Sequence, residues 1–138
     1  MMRQPILHWL LVSFAATAFT GCGATALRPG AEGVLVTHAP PSNQCRFVGT
    51  LVGQQGDALT GPFTSNRDLA EGAVNDLKNK AHEQGANYVL LETTTAGNTI
   101  SGGRHSLSGG QTDVTHMGNA FVCPPPGTPP RADSQAAR

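Results

Sequence analysis

Between Ser65 and Gly85 the chain carries its clearest periodicity. Leu69, Ala73, Leu77 and Ala81 recur every four residues, which on an α-helix places all four on one face. The segment opens with Ser65-Asn-Arg-Asp68, a serine followed three residues later by an acid. That spacing lets the two side chains satisfy the exposed amides of a helix start reciprocally. Asp68 and Glu71 fall in the first turns and Lys78, Lys80 and His82 near the end, as the helix dipole favours. Gly85 supplies a left-handed stop. The apolar stripe is narrow, flanked by Ala70 and Val74, so this helix has to be covered by something else. Small residues at Ala70, Gly72 and Ala73 allow close approach to a sheet, although Gly72 costs about 1 kcal/mol of helix propensity. Glu71, Asp76 and Glu83 form its wetted face, with Asp76 and Lys80 as an i,i+4 pair.

The flanks supply the sheet. Gly33–Thr37 is a short β-rich run ended by the turn cluster His38–Asn43. Cys45–Val52 alternates as a half-buried strand, with Cys45, Phe47 and Leu51 defining one face and Gly49 suggesting a bulge. Residues 53–64 read as a loop. After the helix, Ala86–Thr95 is the expected central strand, its Tyr88–Leu91 run implying burial on both faces. Ala96–Thr112 is rich in Gly and Ser and reads as a mobile loop. Val114–Cys123 returns as a final strand, and residues 124–138 form a Pro-rich, disordered tail. The fold class is therefore α+β. One helix packs on a small mixed or antiparallel β-sheet in β-β-α-β-β order, over residues 33–123, closed by a single disulfide.

Residues 1–21 are an address rather than part of that fold. Arg3 precedes an apolar run, Pro5–Phe19, that ends in small residues, which is the export-signal pattern. The run is shorter than the roughly 18–20 residues that cross a bilayer. Two cleavages compete: Ala16-Thr-Ala18 fits ordinary secretion, whereas Phe19-Thr-Gly-Cys22 has the form of a lipobox. The second is favoured, because a thiol at the first mature residue accepts a diacylglyceryl group and the small residues before it fit the peptidase. Acyl chains on Cys22, at about 0.8 kcal/mol per buried methylene, make such an anchor effectively permanent. Gly23 follows the cysteine instead of Asp, a cue for transfer to the outer membrane. Residues 22–32 then read as a lipidated start and a flexible tether, reaching at most about 33 Å. With Cys22 consumed, Cys45 and Cys123 remain as an even pair for an oxidising compartment. Closing so long a loop stabilises by about 4–5 kcal/mol in the chain-entropy model. The alternative is two buried, unpaired thiols.

Nine Lys and Arg balance nine Asp and Glu. No basic footprint exists for a phosphate backbone, so nucleic acid is excluded as an expected partner. Catalysis is not expected: there is no G-x-S-x-G, and the serines near His105 lie in the segment read as flexible. Gly21-Cys-Gly23-Ala-Thr-Ala26 imitates a dinucleotide loop, but no strand precedes it. No cofactor and no metal are expected, since no two histidines have zinc-type spacing. The expected function is non-catalytic protein contact in the cell envelope, with the membrane as partner through the lipid at Cys22. The alternative is a periplasmic ligand- or metal-binding module using His105, Asp113 and His116. Simple structural packing beneath the outer membrane is a third reading.

A resemblance adds to this. The lipobox, the strand Cys45-Arg-Phe-Val-Gly-Thr-Leu-Val52, the helix end and turn Leu77–Asn87, the strand Tyr88-Val-Leu-Leu91 and the terminal Phe121-Val-Cys123 resemble a family of uncharacterised bacterial lipoproteins, classed as a domain of unknown function. More distantly, they resemble the outer-membrane stress-sensor lipoprotein of the Rcs phosphorelay. The match spans roughly residues 33–123, most specifically at Lys80-Ala…Gly85-Ala-Asn-x-Val-Leu-Leu91. It implies a small α+β domain held by a disulfide to which Cys45 and Cys123 correspond, and a role in envelope surveillance. Two features depart from the stress sensor, which has a second disulfide using a cysteine after the helix and a Pro-rich tether before its domain. Here Glu92 and threonines stand where that cysteine would be, and the Pro-rich segment lies at the opposite end.

Overall fold

The computed structural model describes residues 23–103 and 106–127. Its elements are β1 (Leu35–Thr37), β2 (Arg46–Gly56), α1 (Asn66–Glu83), β3 (Tyr88–Gly103) and β4 (Ser106–Val122), with short 3-10 turns at Ala31–Gly33 and Gly61–Phe63. The four strands form one sheet in the order β1-β3-β4-β2. β1 runs parallel to β3, while β3–β4 and β4–β2 are antiparallel. The expected α+β class, element order and mixed sheet are all present.

The helix forms as its sequence dictates. Ser65 is extended and its side chain accepts a hydrogen bond from Asp68 N at 3.1 Å, capping the first turn. Gly85 ends it at φ +72°, a left-handed conformation that costs glycine little. Leu69, Ala73, Leu77 and Ala81 are all fully buried against one face of the sheet. Leu77 and Ala81 share a core with Val34, Leu51, Ala86, Val89 and Ala120, and Leu69 and Ala73 pack with Val114. Contact is closest at Gly53, where a Cβ would stand 2.4 Å from the Ala73 carbonyl oxygen. Any side chain there would push the helix off β2. The pair Asp76–Lys80 does more than stabilise the helix. Asp76 Oδ2 accepts from Gln54 N (2.9 Å) and from Lys80 Nζ (2.7 Å), and Lys80 also donates to Val52 O (2.8 Å). Helix side chains thus occupy polar groups on the outer edge of β2, which would otherwise invite another strand.

Four expectations about the sheet need correction. The register slips between Phe47 and Gly49, so the expected bulge exists, but an extra residue reverses the alternation. Phe47 therefore faces away from the helix, 53% exposed and edge-on to Phe121 at 5.6 Å, while Leu51 lies in the core. Tyr88–Leu91 is not buried on both faces; only Val89 is fully covered, because the helix shields one side of the sheet. Strand β2 runs on to Gly56, shortening the expected 53–64 loop. The largest difference is at Ala96–Thr112. This stretch continues β3 and β4 as a hairpin, paired from Ala96↔Val114 through to Gly103↔Ser106. Beyond Gly97↔Asp113 no third strand is paired among the described residues. A two-stranded ribbon outside the core has no apolar face to advertise, so β-branched Thr99 and Ile100 are what marks it on β3.

Candidate functional site

The two cysteines read as a pair are joined: Cys45 and Cys123 form a disulfide across a sequence separation of 78. It links the start of β2 to the end of β4. Asn87, just before β3, reinforces it by accepting from Cys123 N through Oδ1 (2.7 Å) and donating to Cys123 O through Nδ2 (2.8 Å). An open cleft of about 400 Å³ lies beside the bridge, lined by Asn43, Gln44, Tyr88 and Pro124–Gly127 among others. Tyr88 donates its hydroxyl proton to Ala39 O at 2.7 Å. Residues 124–127 thus form a wall of this cleft, and the rest of the tail lies outside the described residues.

Cys22 also lies outside the described residues, but the chain from Gly23 onward does not behave as a flexible tether. Thr25 accepts from Asn75 Nδ2 through its carbonyl (2.9 Å), and its own N–H and hydroxyl donate to Gln55 Oε1. Asn79 Oδ1 accepts from Arg28 N (2.8 Å) and its Nδ2 donates to Ala26 O (3.0 Å). Arg28 pairs with Glu83, and Ala31 is fully buried. Residues 25–31 are therefore a strap laid along α1. The sequence did carry a signal for it: Asn75 and Asn79 are poor helix formers one turn apart in the helix interior. Asn79 is 4% exposed, and a buried amide needs partners of this kind.

The residues of the metal-binding alternative are not assembled. His105 is outside the described residues. Asp113 and His116 stand three apart on β4 and so point to opposite faces. Asp113 takes a hydrogen bond from Thr112 Oγ1. His116 is buried under the helix, its Nδ1 2.9 Å from Thr94 Oγ1, while Nε2 has no hydrogen-bond partner among the described residues. Burial holds its imidazole below the ordinary histidine range, helped by His38 and opposed by the Ala70 carbonyl. No group of three or more His, Cys, Asp or Glu placed to hold a metal occurs among the described residues. Nor is any described helix long and apolar enough to cross a membrane.

Comparison with known proteins gives a family without a described activity. The family described as Domain of unknown function (DUF4156) matches residues 25–123, a span that starts within the strap and stops on the second disulfide cysteine. The chain is similar to the uncharacterized protein YjeI of Escherichia coli K12, 27% identical over 111 residues, covering 80% of this chain and 90% of that one. The same figures hold for YjeI of Shigella flexneri. No solved structure matches.

Proposed function

The chain belongs to the family described as Domain of unknown function (DUF4156), and from that premise we propose that it is an outer-membrane lipoprotein, acylated at Cys22, facing the periplasm. Its domain acts there by protein contact rather than catalysis. The observation that carries this reading is the use of the thiols. The disulfide takes Cys45 and Cys123, leaving Cys22 as the one further cysteine of three, at the end of an export-signal pattern. A disulfide is at home in an oxidising compartment, and an unpaired cysteine at the first mature position suits lipid attachment. Gly23 after the cysteine supports the outer membrane as destination, and the resemblance to the Rcs stress sensor supports surveillance as the form of contact.

The test is fractionation of an expressing bacterium. Wild-type protein is expected in the outer-membrane fraction, whereas Cys22→Ala accumulates uncleaved or leaves that fraction. A Cys22→Ala protein that is processed and still partitions with the outer membrane like wild type would defeat the proposal.

A further inference from the structure

The strap fixes where the chain must leave the domain. Gly23 O accepts from Gln55 Nε2 at 3.4 Å, and Gln55 is the penultimate residue of β2. Gln55 also lies against Gly72, and the next residue, Gly56, lies against Leu69 in the first turns of α1. Position 22 is one Cα step, about 3.8 Å, from Gly23. An acyl group on Cys22 would therefore emerge at the end of the domain where β2 stops and α1 starts, with almost no slack.

That same end displays the three most exposed large apolar side chains of the described residues: Leu59 at 82%, Phe63 at 79% and Ile100 at 69%. Leu59 and Phe63 sit in the loop that follows Gly56. Ile100 is on the hairpin, three registers beyond Gly97↔Asp113, the pair that also aligns with Gly56. The loop is firmly built. Asp57 Oδ1 accepts from Leu59 N (2.7 Å) and Thr60 N (2.8 Å). The bonds from Thr60 first, then Leu59, hold its carboxyl below the ordinary aspartate range. Thr64 Oγ1 donates to Thr60 O (3.0 Å), and a Cβ on Gly61 would collide with the Thr112 carbonyl oxygen. A loop fixed by these hydrogen bonds presents Leu59, Pro62 and Phe63 to solvent together, and apolar side chains grouped on one loop can mark a contact surface.

We propose that this end of the domain rests on the lipid surface, with Leu59, Phe63 and Ile100 dipping into the headgroup and acyl boundary. Apolar side chains at that depth add to the anchor without spanning the bilayer, and the Gly-, Ser- and Thr-rich ribbon around Ile100 lies among the headgroups. The inference rests on acylation of Cys22, which supplies the lipid surface at this end. It places the opposite end, with the disulfide and its cleft, farthest from the membrane and open to periplasmic partners.

The chain has a single tryptophan, Trp9, within the segment read as removed. Phe63→Trp and Phe47→Trp therefore each place one reporter in the mature protein, at the near and far ends. Each lipidated variant is reconstituted in phosphatidylethanolamine–phosphatidylglycerol vesicles with and without a dibrominated phosphatidylcholine, and intact mass reports acylation of the same sample. The expected result is that brominated lipid quenches the indole emission of the Phe63→Trp protein and leaves that of the Phe47→Trp protein unaffected. Acylated Phe63→Trp protein that is not quenched overturns the inference while leaving the anchor intact, and so does equal quenching of both variants. An unacylated mass instead removes the premise.

Discussion

Where β2 begins and β4 ends, the chain is fastened covalently: the Cys45–Cys123 bridge, the Asn87 clamp on Cys123 and the edge-on Phe47–Phe121 pair hold three strands together. Where β2 ends and α1 begins, the described residues have no such clasp. The chain is held there by the side-chain amides of Gln55 and Asn75 on the start of the strap and by an Asx turn at Asp57, while Asn79 holds Ala26 and Arg28 one turn farther along α1. The first end has a bond that survives in an oxidising compartment; the second has geometry that aims the N-terminal segment. On the proposal that Cys22 is acylated, the domain needs both, since closure of the fold does not by itself set its orientation.

The sharpest way to break this contrast is to open the covalent end. Replacing both cysteines, Cys45→Ala with Cys123→Ala, should cost about 4–5 kcal/mol on the chain-entropy estimate, read as a lowered urea midpoint. The amides of residues 25–28 should keep their hydrogen-exchange protection under native conditions. Next in size is the strap. Asn79→Ala leaves the Arg28 amide and the Ala26 carbonyl without their partner and should cost about 1–3 kcal/mol. Here exchange at residues 26–28 should accelerate while the disulfide end is unchanged. If both regions loosen together in either variant, the two ends are not independent.

The smallest effect is expected at His116, between the two ends. Its folded pKa is depressed by burial, so the unfolded chain binds the proton more readily. Its contribution is therefore complete above about pH 6.5, the unfolded value, and is lost as pH falls from there through the lower folded value. The slope is bounded by about 1.4 kcal/mol per pH unit. Urea midpoints between pH 7.5 and pH 5 should show the decline, and His116→Gln should remove its share.

How much of this is legible in the sequence follows from where apolar contrast exists. Leu69, Ala73, Leu77 and Ala81 announce the helix and its buried face, because a covered helix needs a stripe. The cysteine pair is legible by count. The strap is legible only in part: Asn75 and Asn79 stand out as poor helix formers in a helix interior, but their partners are polar groups 50 to 53 positions away, and Gln55 holds Thr25 from 30 positions away. The ribbon at 96–112 reads as a loop because backbone pairing outside the core leaves no hydrophobic alternation. The turnover of Phe47 depends on one extra residue at the bulge. Gly49 makes that bulge readable, but which side chains change face depends on the residue at which the register slips. The exposed Leu59 and Phe63 gain meaning only once the strap shows which end the N-terminal segment leaves from.

The most direct test of the anchored, disulfide-closed account is the intact mass of protein purified from membranes, before and after reduction. The predicted result is residues 22–138 plus acyl groups, gaining two hydrogens on reduction. An unacylated mass beginning at Phe19 would contradict it, leaving a soluble exported domain whose strap anchors nothing.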